Sequence, residues 1–173
     1  MGTSTGGPHS PGDNRPVAID LFAGCGALSQ GLVQAGFKIA AAVEINPKRA
    51  ATYSLNHRTT VVIQKDVRSV ESADLLASAG LLPGQVALIA GCPPCQGFSR
   101  IRRRNSKRAA RDARNNLTSE FGRLVREILP TAIMLENVPG LERDIRFTRL
   151  LRSLRGAGYR LTWRVMDLAR FGV

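Results

Sequence analysis

The sequence predicts an α/β domain built on a mostly parallel, doubly wound sheet, and three observations carry that prediction. Short apolar runs of strand length alternate with segments whose apolar residues recur at helical spacing. The first run opens directly into a glycine turn, Ala23-Gly24-Cys25-Gly26. Chemically active side chains then close successive runs: Glu44, Asp66, Cys95 and Glu136. That is the edge at which an open parallel sheet gathers its ligands.

In order, residues 1–15 are rich in Gly, Ser, Thr and Pro without apolar periodicity, which predicts a disordered lead before a domain over 16–173. Val17 to Phe22 reads as a buried strand. Leu28, Leu32 and Ala35 follow the turn at helical spacing, with Gly36 as the stop. Lys38 to Glu44 is a second strand, Pro47 to Asn56 a helix and Thr60 to Ile63 a third strand. A helix around 70–79, a strand at 86–90, a helix near 117–128, a strand at 131–135, a helix near 145–155 and a strand at 159–165 complete the alternation. Arg100 to Asn116 breaks it. That stretch sets Arg100, Arg102, Arg103, Arg104, Lys107, Arg108, Arg111 and Arg114 against the single acid Asp112, with no apolar stripe to bury. It reads as a surface loop suited to clamping phosphates, or as a plain basic linker.

Composition narrows the function. The 173 residues are 43% hydrophobic, enough for one core, and carry a net charge of +12. Such a balance favours a polyanionic partner, because each phosphate neutralised releases a counterion; a solvated arginine-rich surface is the plainer alternative. The 3 cysteines, at 25, 92 and 95, are too few for a disulfide framework. Cys92 and Cys95 form a C-x-x-C, yet only His9 and His57 are available as further zinc ligands, at unrelated spacings, so no metal is expected. No run reaches the roughly 20 apolar residues of a membrane span, and no signal peptide stands at the start. A cytoplasmic protein is expected.

The residues themselves suggest a chemistry. In Gly91-Cys92-Pro93-Pro94-Cys95-Gln96-Gly97-Phe98-Ser99 an apolar strand meets two prolines, which cannot continue it and stiffen the bend. Cys95 is thereby a candidate nucleophile. Gly24 and Gly26 let the backbone approach a ligand at the start of a helix. Glu44, some 20 residues on, suits the two hydroxyls of a ribose, and Asp66 suits an adenine amino group. Together they describe an adenosine pocket. Ser29 stands where a dinucleotide fingerprint would place its third glycine, which counts against NAD.

Three blocks, Asp20-Leu21-Phe22-Ala23-Gly24-Cys25-Gly26, the proline-cysteine run above, and Glu136-Asn137-Val138-Pro139-Gly140, resemble in order and spacing the signatures of the DNA cytosine-5 methyltransferases. The resemblance covers residues 16–173. It implies a Rossmann-like class I methyltransferase fold with S-adenosylmethionine as cofactor and double-stranded DNA as partner. By it, Phe22, Gly24, Gly26, Glu44, Ile45, Asp66, Val67, Pro94 and Leu117 line the cofactor pocket. Cys95 adds to cytosine C6 while Glu136 holds the N3 edge, since C5 is too electron-poor to take a methyl group unaided. Ser99, Arg100, Arg102, Arg103, Arg104 and Arg114 contact the nucleic acid, whose target base leaves the duplex. Asn137 braces the turn, whereas Cys25 and Cys92 are buried packing residues. Ala27 replaces a glycine usual in the family, a methyl the turn is expected to tolerate.

Arg170-Phe171-Gly172-Val173 resembles the lead-in to a further block of that family. The resemblance therefore implies a catalytic domain truncated before its seventh strand, without the target-recognition domain. A second polypeptide is expected to supply both. On this reading the strand at 159–165 has no neighbour and the fifth strand is an open edge. Two alternatives stand beside it: an inactive remnant that binds cofactor or nucleic acid, and a tRNA cytosine-5 methyltransferase. Gly97-Phe98-Ser99 favours the DNA form.

Overall fold

A computed structural model describes residues 13–94 and 117–172. Its strands are β1 (Val17–Leu21), β2 (Lys38–Val43), β3 (Val61–Ile63), β4 (Leu88–Gly91) and β5 (Ala132–Leu135). They form one sheet in the order β3-β2-β1-β4-β5, each neighbouring pair parallel. The helices are α1 (Ala27–Gln34), α2 (Pro47–Asn56), α3 (Ser72–Ser78), α4 (Leu117–Ile128) and α5 (Ile145–Gly156). Short 3-10 turns lie at Val67–Ser69, Pro139–Arg143 and Leu168–Phe171.

Strand parity sorts the two faces. Ile19, Leu21, Val43 and Ile89 pack in one cluster with Leu75, Leu76, Phe121, Leu124, Val125, Leu150 and Leu154, from α3, α4 and α5. On the opposite face Ala18, Ala90, Ile39 and Leu88 cluster with Leu32 of α1, and Ala42 meets Tyr53 of α2. Helices thus cover both faces, as the alternation predicts. α2 starts where its sequence says it should: Pro47 sits in the first turn, and the Asn46 side chain accepts from Lys48 N at 3.0 Å and Arg49 N at 3.2 Å. α4 buries Leu117, Phe121, Leu124, Val125 and Ile128, one apolar stripe at helical spacing.

β1 and β4 are adjacent, and strand order reverses between them. Their ends come together closely. A side chain at Gly91 would bring its Cβ within 2.7 Å of the Leu21 carbonyl oxygen, so only glycine fits the end of β4.

The helix expected around 70–79 forms as α3, and a 3-10 turn at Val67–Ser69 precedes it. The side chain of Asp66 accepts from Arg68 N and so starts that turn. One expected element needs correcting. The strand expected at 159–165 does not form: residues 159–167 carry no regular structure. A strand exists only through a ladder partner, and here local contacts win instead. The Tyr159 hydroxyl donates to the Pro130 carbonyl at 2.7 Å. Trp163 stands edge-on to Phe147 at 5.9 Å, with the Arg155 guanidinium 5.9 Å from its centroid. β5 pairs with β4 alone and leaves Met134 42% exposed, so the edge is open among the described residues. The basic stretch from Arg100 to Asn116 lies outside the described residues. No helix among those described is long and apolar enough to cross a membrane.

Candidate active site

The glycine turn is bound from several sides. β1 leaves the sheet through Phe22, whose φ of 65° is left-handed and rare for a bulky residue. Ala23 N then donates to Val43 O at 3.0 Å, turning the chain over the end of β2. Gly24 (φ 57°) and Gly26 (φ 97°) are also left-handed. Above Gly24 an added Cβ would meet no atom within 4 Å, which leaves backbone open to a ligand. α1 begins immediately after Gly26, and no side chain caps its N-terminus. Ala27 is the first residue of α1 and exposed, so its extra methyl is accommodated as expected.

Glu44 is buried and already engaged. One carboxylate oxygen accepts from Gly24 N and the other from Asn46 N, each at 2.8 Å. Each oxygen keeps lone-pair capacity for a ligand hydroxyl, and its orientation is fixed in advance. Ile45 beside it is exposed.

Sequence reasoning missed the brace behind this turn. Asn56 Nδ2 donates to the Cys25 carbonyl at 2.9 Å. The His57 Nε2 and the Gly26 carbonyl oxygen are also 2.9 Å apart. Tyr53 packs on His57 with ring centroids at 4.7 Å. The last turn of α2 thus grips the turn after β1, with partners 31 residues apart in sequence. The one available signal was a Tyr, Asn and His gathered within a single turn of an otherwise plain helix. Cys25 is exposed on this turn, contrary to its expected burial.

Beneath it lies a dry polar chain. Asp20 Oδ2 accepts from Ser29 Oγ at 2.6 Å, and Ser29 Oγ lies 2.6 Å from the Tyr53 hydroxyl. All three residues are wholly buried, and Asp20 Oδ1 has no partner. Burial pushes the Asp20 carboxyl up to about 6; the Glu44 charge adds to the rise and Ser29 opposes it. The folded chain holds this proton more tightly than the unfolded one, so the stabilisation is full below about pH 4 and is lost as pH rises through 6. Urea titrations should show about 3 kcal/mol less stability from this group at pH 7 than at pH 4. Asp20→Asn should flatten that slope, and an unchanged slope would contradict the assignment.

Past the end of β3, Asp66 accepts from Arg68 through both oxygens. The Arg68 guanidinium beside it holds its carboxyl below the usual range. The Val67–Ser69 turn is fastened to α4 by Arg123, whose Nη2 donates to Val67 O at 3.2 Å and Val70 O at 3.0 Å. Val67 is buried. Leu117, the first residue of α4, is buried in the core cluster, and Pro94 is exposed.

At the ends of β4 and β5 the register brings Cys92 beside Glu136, whose N–H donates to Gly91 O at 3.1 Å. Cys92 is half-buried; burial, then the Glu136 carboxylate and Asp20, push its thiol up to about 12. It stays protonated at neutral pH and is no nucleophile. Asn137 Nδ2 donates to the Pro93 carbonyl at 2.9 Å while its Oδ1 accepts from Val138 N at 2.9 Å. This one side chain ties the Glu136 turn to the proline bend, the bracing role the sequence suggested. Asn137→Ala should cost about 1–2 kcal/mol of stability by orphaning the part-buried carbonyl, readable in a urea titration. A loss below about 0.3 kcal/mol would show that water replaces the amide without consequence. Cys95, Ser99, Arg100, Arg102, Arg103, Arg104 and Arg114 lie outside the described residues. Among the described residues no three His, Cys, Asp or Glu side chains are grouped to hold a metal.

The chain is 37% identical over 164 residues to the Type II methyltransferase M.XorII of Xanthomonas oryzae pv. oryzae, a match covering 92% of this chain and 38% of that protein. It is 35% identical over 166 residues to the Type II methyltransferase M.AquIA of Picosynechococcus sp., covering 90% of this chain and 66% of that one. A crystal structure of a DNA modification methyltransferase encoded within an E. coli prophage superimposes with a TM-score of 0.66 at 32% identity, over 82% of this chain and 37% of the other. The chain therefore spans between about two fifths and two thirds of the length of these relatives. The sequence profile of the C-5 cytosine-specific DNA methylases matches residues 17–173, so that the glycine turn, the proline bend and the Glu136 turn all fall within it, and the chain belongs to that family.

Proposed function

We propose that this chain is the cofactor-binding and nucleophile-bearing part of an enzyme that methylates C5 of cytosine in DNA. The supporting observation is convergence. The open backbone over Gly24, the oriented Glu44 carboxylate and the braced Glu136 turn all stand at the carboxyl edge of the same sheet. The exposed cradle over Gly24, with the uncapped start of α1 behind it, fits the methionine end of S-adenosylmethionine, and Glu44 fits its ribose. When bound, that cofactor supplies an electrophilic methyl group on a sulfonium.

The chain's own residues do the rest. Ile45 and Phe22 cover the adenosine, and Val67 lies along the adenine edge. The Cys95 thiolate adds to C6 of the extruded cytosine, which places electron density on C5 so that it can take the methyl group. Glu136 holds the N3 edge as that charge develops, and its position is set by the bond from Asn137 to Pro93. Water takes the C5 proton, and the electron pair left behind expels the Cys95 thiolate from C6 and restores the aromatic ring. Ser99, Arg100, Arg102, Arg103, Arg104 and Arg114 hold phosphates around the extruded base. The edge of β5, open among the described residues, and the exposed Met134 favour completion of the sheet by a further polypeptide segment.

The test is transfer of label from S-adenosylmethionine to a cytosine-containing duplex, by this chain alone and with that segment added as a separate polypeptide. Transfer is expected only in the second case. Robust transfer by the chain alone would remove the need for completion. Donor binding without transfer in either case would leave a binding remnant, and transfer to tRNA alone would change the substrate.

A further inference from the structure

We propose that Asp20, acting through Ser29 and Tyr53, is a positioning residue for the turn from Phe22 to Gly26. The proposal rests on the reading of that turn as the seat of the methyl donor.

The chain of groups makes little sense as packing. Asp20 lies on β1 between Ile19 and Leu21, on the face whose other strand residues, Ala18, Ala42, Ala90, Ile39 and Leu88, are all apolar. An apolar side chain there would avoid burying a carboxyl with one oxygen unpartnered. What the polar chain supplies is direction. An ionised carboxylate only accepts, so Ser29 must donate to Asp20 and Tyr53 must donate to Ser29. Both bonds are short, at 2.6 Å, and shielded from water. They join β1, the first turn of α1 and the last turn of α2 directly under the glycine turn. α1 has no side-chain cap, so Ser29 is the polar tie that fixes its start. Tyr53 belongs to the same turn of α2 as Asn56 and His57, which grip the carbonyls of Cys25 and Gly26. Fixing Tyr53 therefore fixes the grip.

The groups facing Asp20 are Ser29 from α1, Tyr53 from α2, Glu44 at the end of β2 and Cys92 at the end of β4. A charge-assisted bond is stronger than a neutral one, so the tie tightens as Asp20 ionises. Donor affinity should then rise as pH increases through about 6, the interval in which the same group makes folding less favourable. A purely structural carboxyl would move both quantities together.

The experiment uses the full chain, Asp20→Asn, which keeps the shape without the charge, and Tyr53→Phe, which keeps the ring against the turn. Calorimetric titration with S-adenosylmethionine from pH 5 to 7.5 is paired with amide hydrogen exchange read residue by residue. Wild-type affinity should rise several-fold across that range. Each variant should bind about tenfold more weakly at pH 7.5, and Asp20→Asn should bind with a flat profile. Amides from Ala23 to Gln30 should exchange faster in both variants while those of β4 and α4 keep their protection. Wild-type affinity and turn protection in both variants, or a uniform loss of protection across the sheet, would overturn the proposal. If the wild-type chain does not bind the donor, the donor reading fails. The exchange pattern then decides the positioning role by itself.

Discussion

Cys95→Ser should leave the fold and the affinity for S-adenosylmethionine intact while lowering methyl transfer by at least roughly a thousandfold. A serine hydroxyl is far less acidic than a thiol and does not add to C6 of cytosine at neutral pH. Without that bond C5 stays electron-poor. The contrast is with Cys92, three residues earlier. Its thiol is kept protonated by burial, by Glu136 and by Asp20, so Cys92→Ser should retain most of the activity. A duplex carrying 5-fluorocytosine separates the two. Fluorine at C5 cannot leave as a proton, so the adduct persists and is seen as a mass increase on the protein under denaturing conditions. The completed enzyme and its Cys92→Ser variant should trap; Cys95→Ser should not. Trapping by Cys95→Ser together with its loss in Cys92→Ser would exchange the roles assigned to the two cysteines.

The backbone of this site was legible because strand ends write themselves into sequence. Val17 to Leu21 is apolar apart from Asp20 and buried on both faces, as a central parallel strand is, and the glycines after it announce a turn that L side chains avoid. The helices over 47–56 and 117–128 carry their own start signal or stripe, and both match in full. What the sequence concealed was contact across long separation. No local pattern pairs Ser29 with Tyr53, Asn56 with Cys25, or Arg123 with Val67. These pairings exist only once the parallel crossovers bring α2 and α4 to the sheet edge. The expected strand at 159–165 shows the opposite failure. Its apolar and β-branched residues fit a strand, but strand formation is a property of the pair, and β5 offers the segment no ladder here.

Gly26→Ala should be the most damaging single change to the turn from Phe22 to Gly26. Gly26 has φ 97°, which an L side chain rarely adopts, and an added Cβ would stand 2.4 Å from His57 Nε2, 2.5 Å from its Cδ2 and 3.1 Å from Tyr53 Cδ2. Backbone strain costs about 1–2 kcal/mol, overpacking about 1–3, and displacement of His57 from the Gly26 carbonyl about 1 more. A loss of about 4 kcal/mol is therefore expected in urea titration, a large part of the stability of a domain this size. Gly24→Ala makes the comparison informative. Its φ of 57° is also left-handed, but the space above it is empty. It should cost only about 1 kcal/mol and act instead on the donor, by filling the cradle with a methyl group. His57→Ala in the Gly26→Ala background should recover part of the loss, because the collision is with the imidazole, and the double-mutant cycle reads that coupling directly. Equal costs at Gly24 and Gly26, or no recovery on removing the ring, would show that the last turn of α2 does not hold the turn after β1 in place.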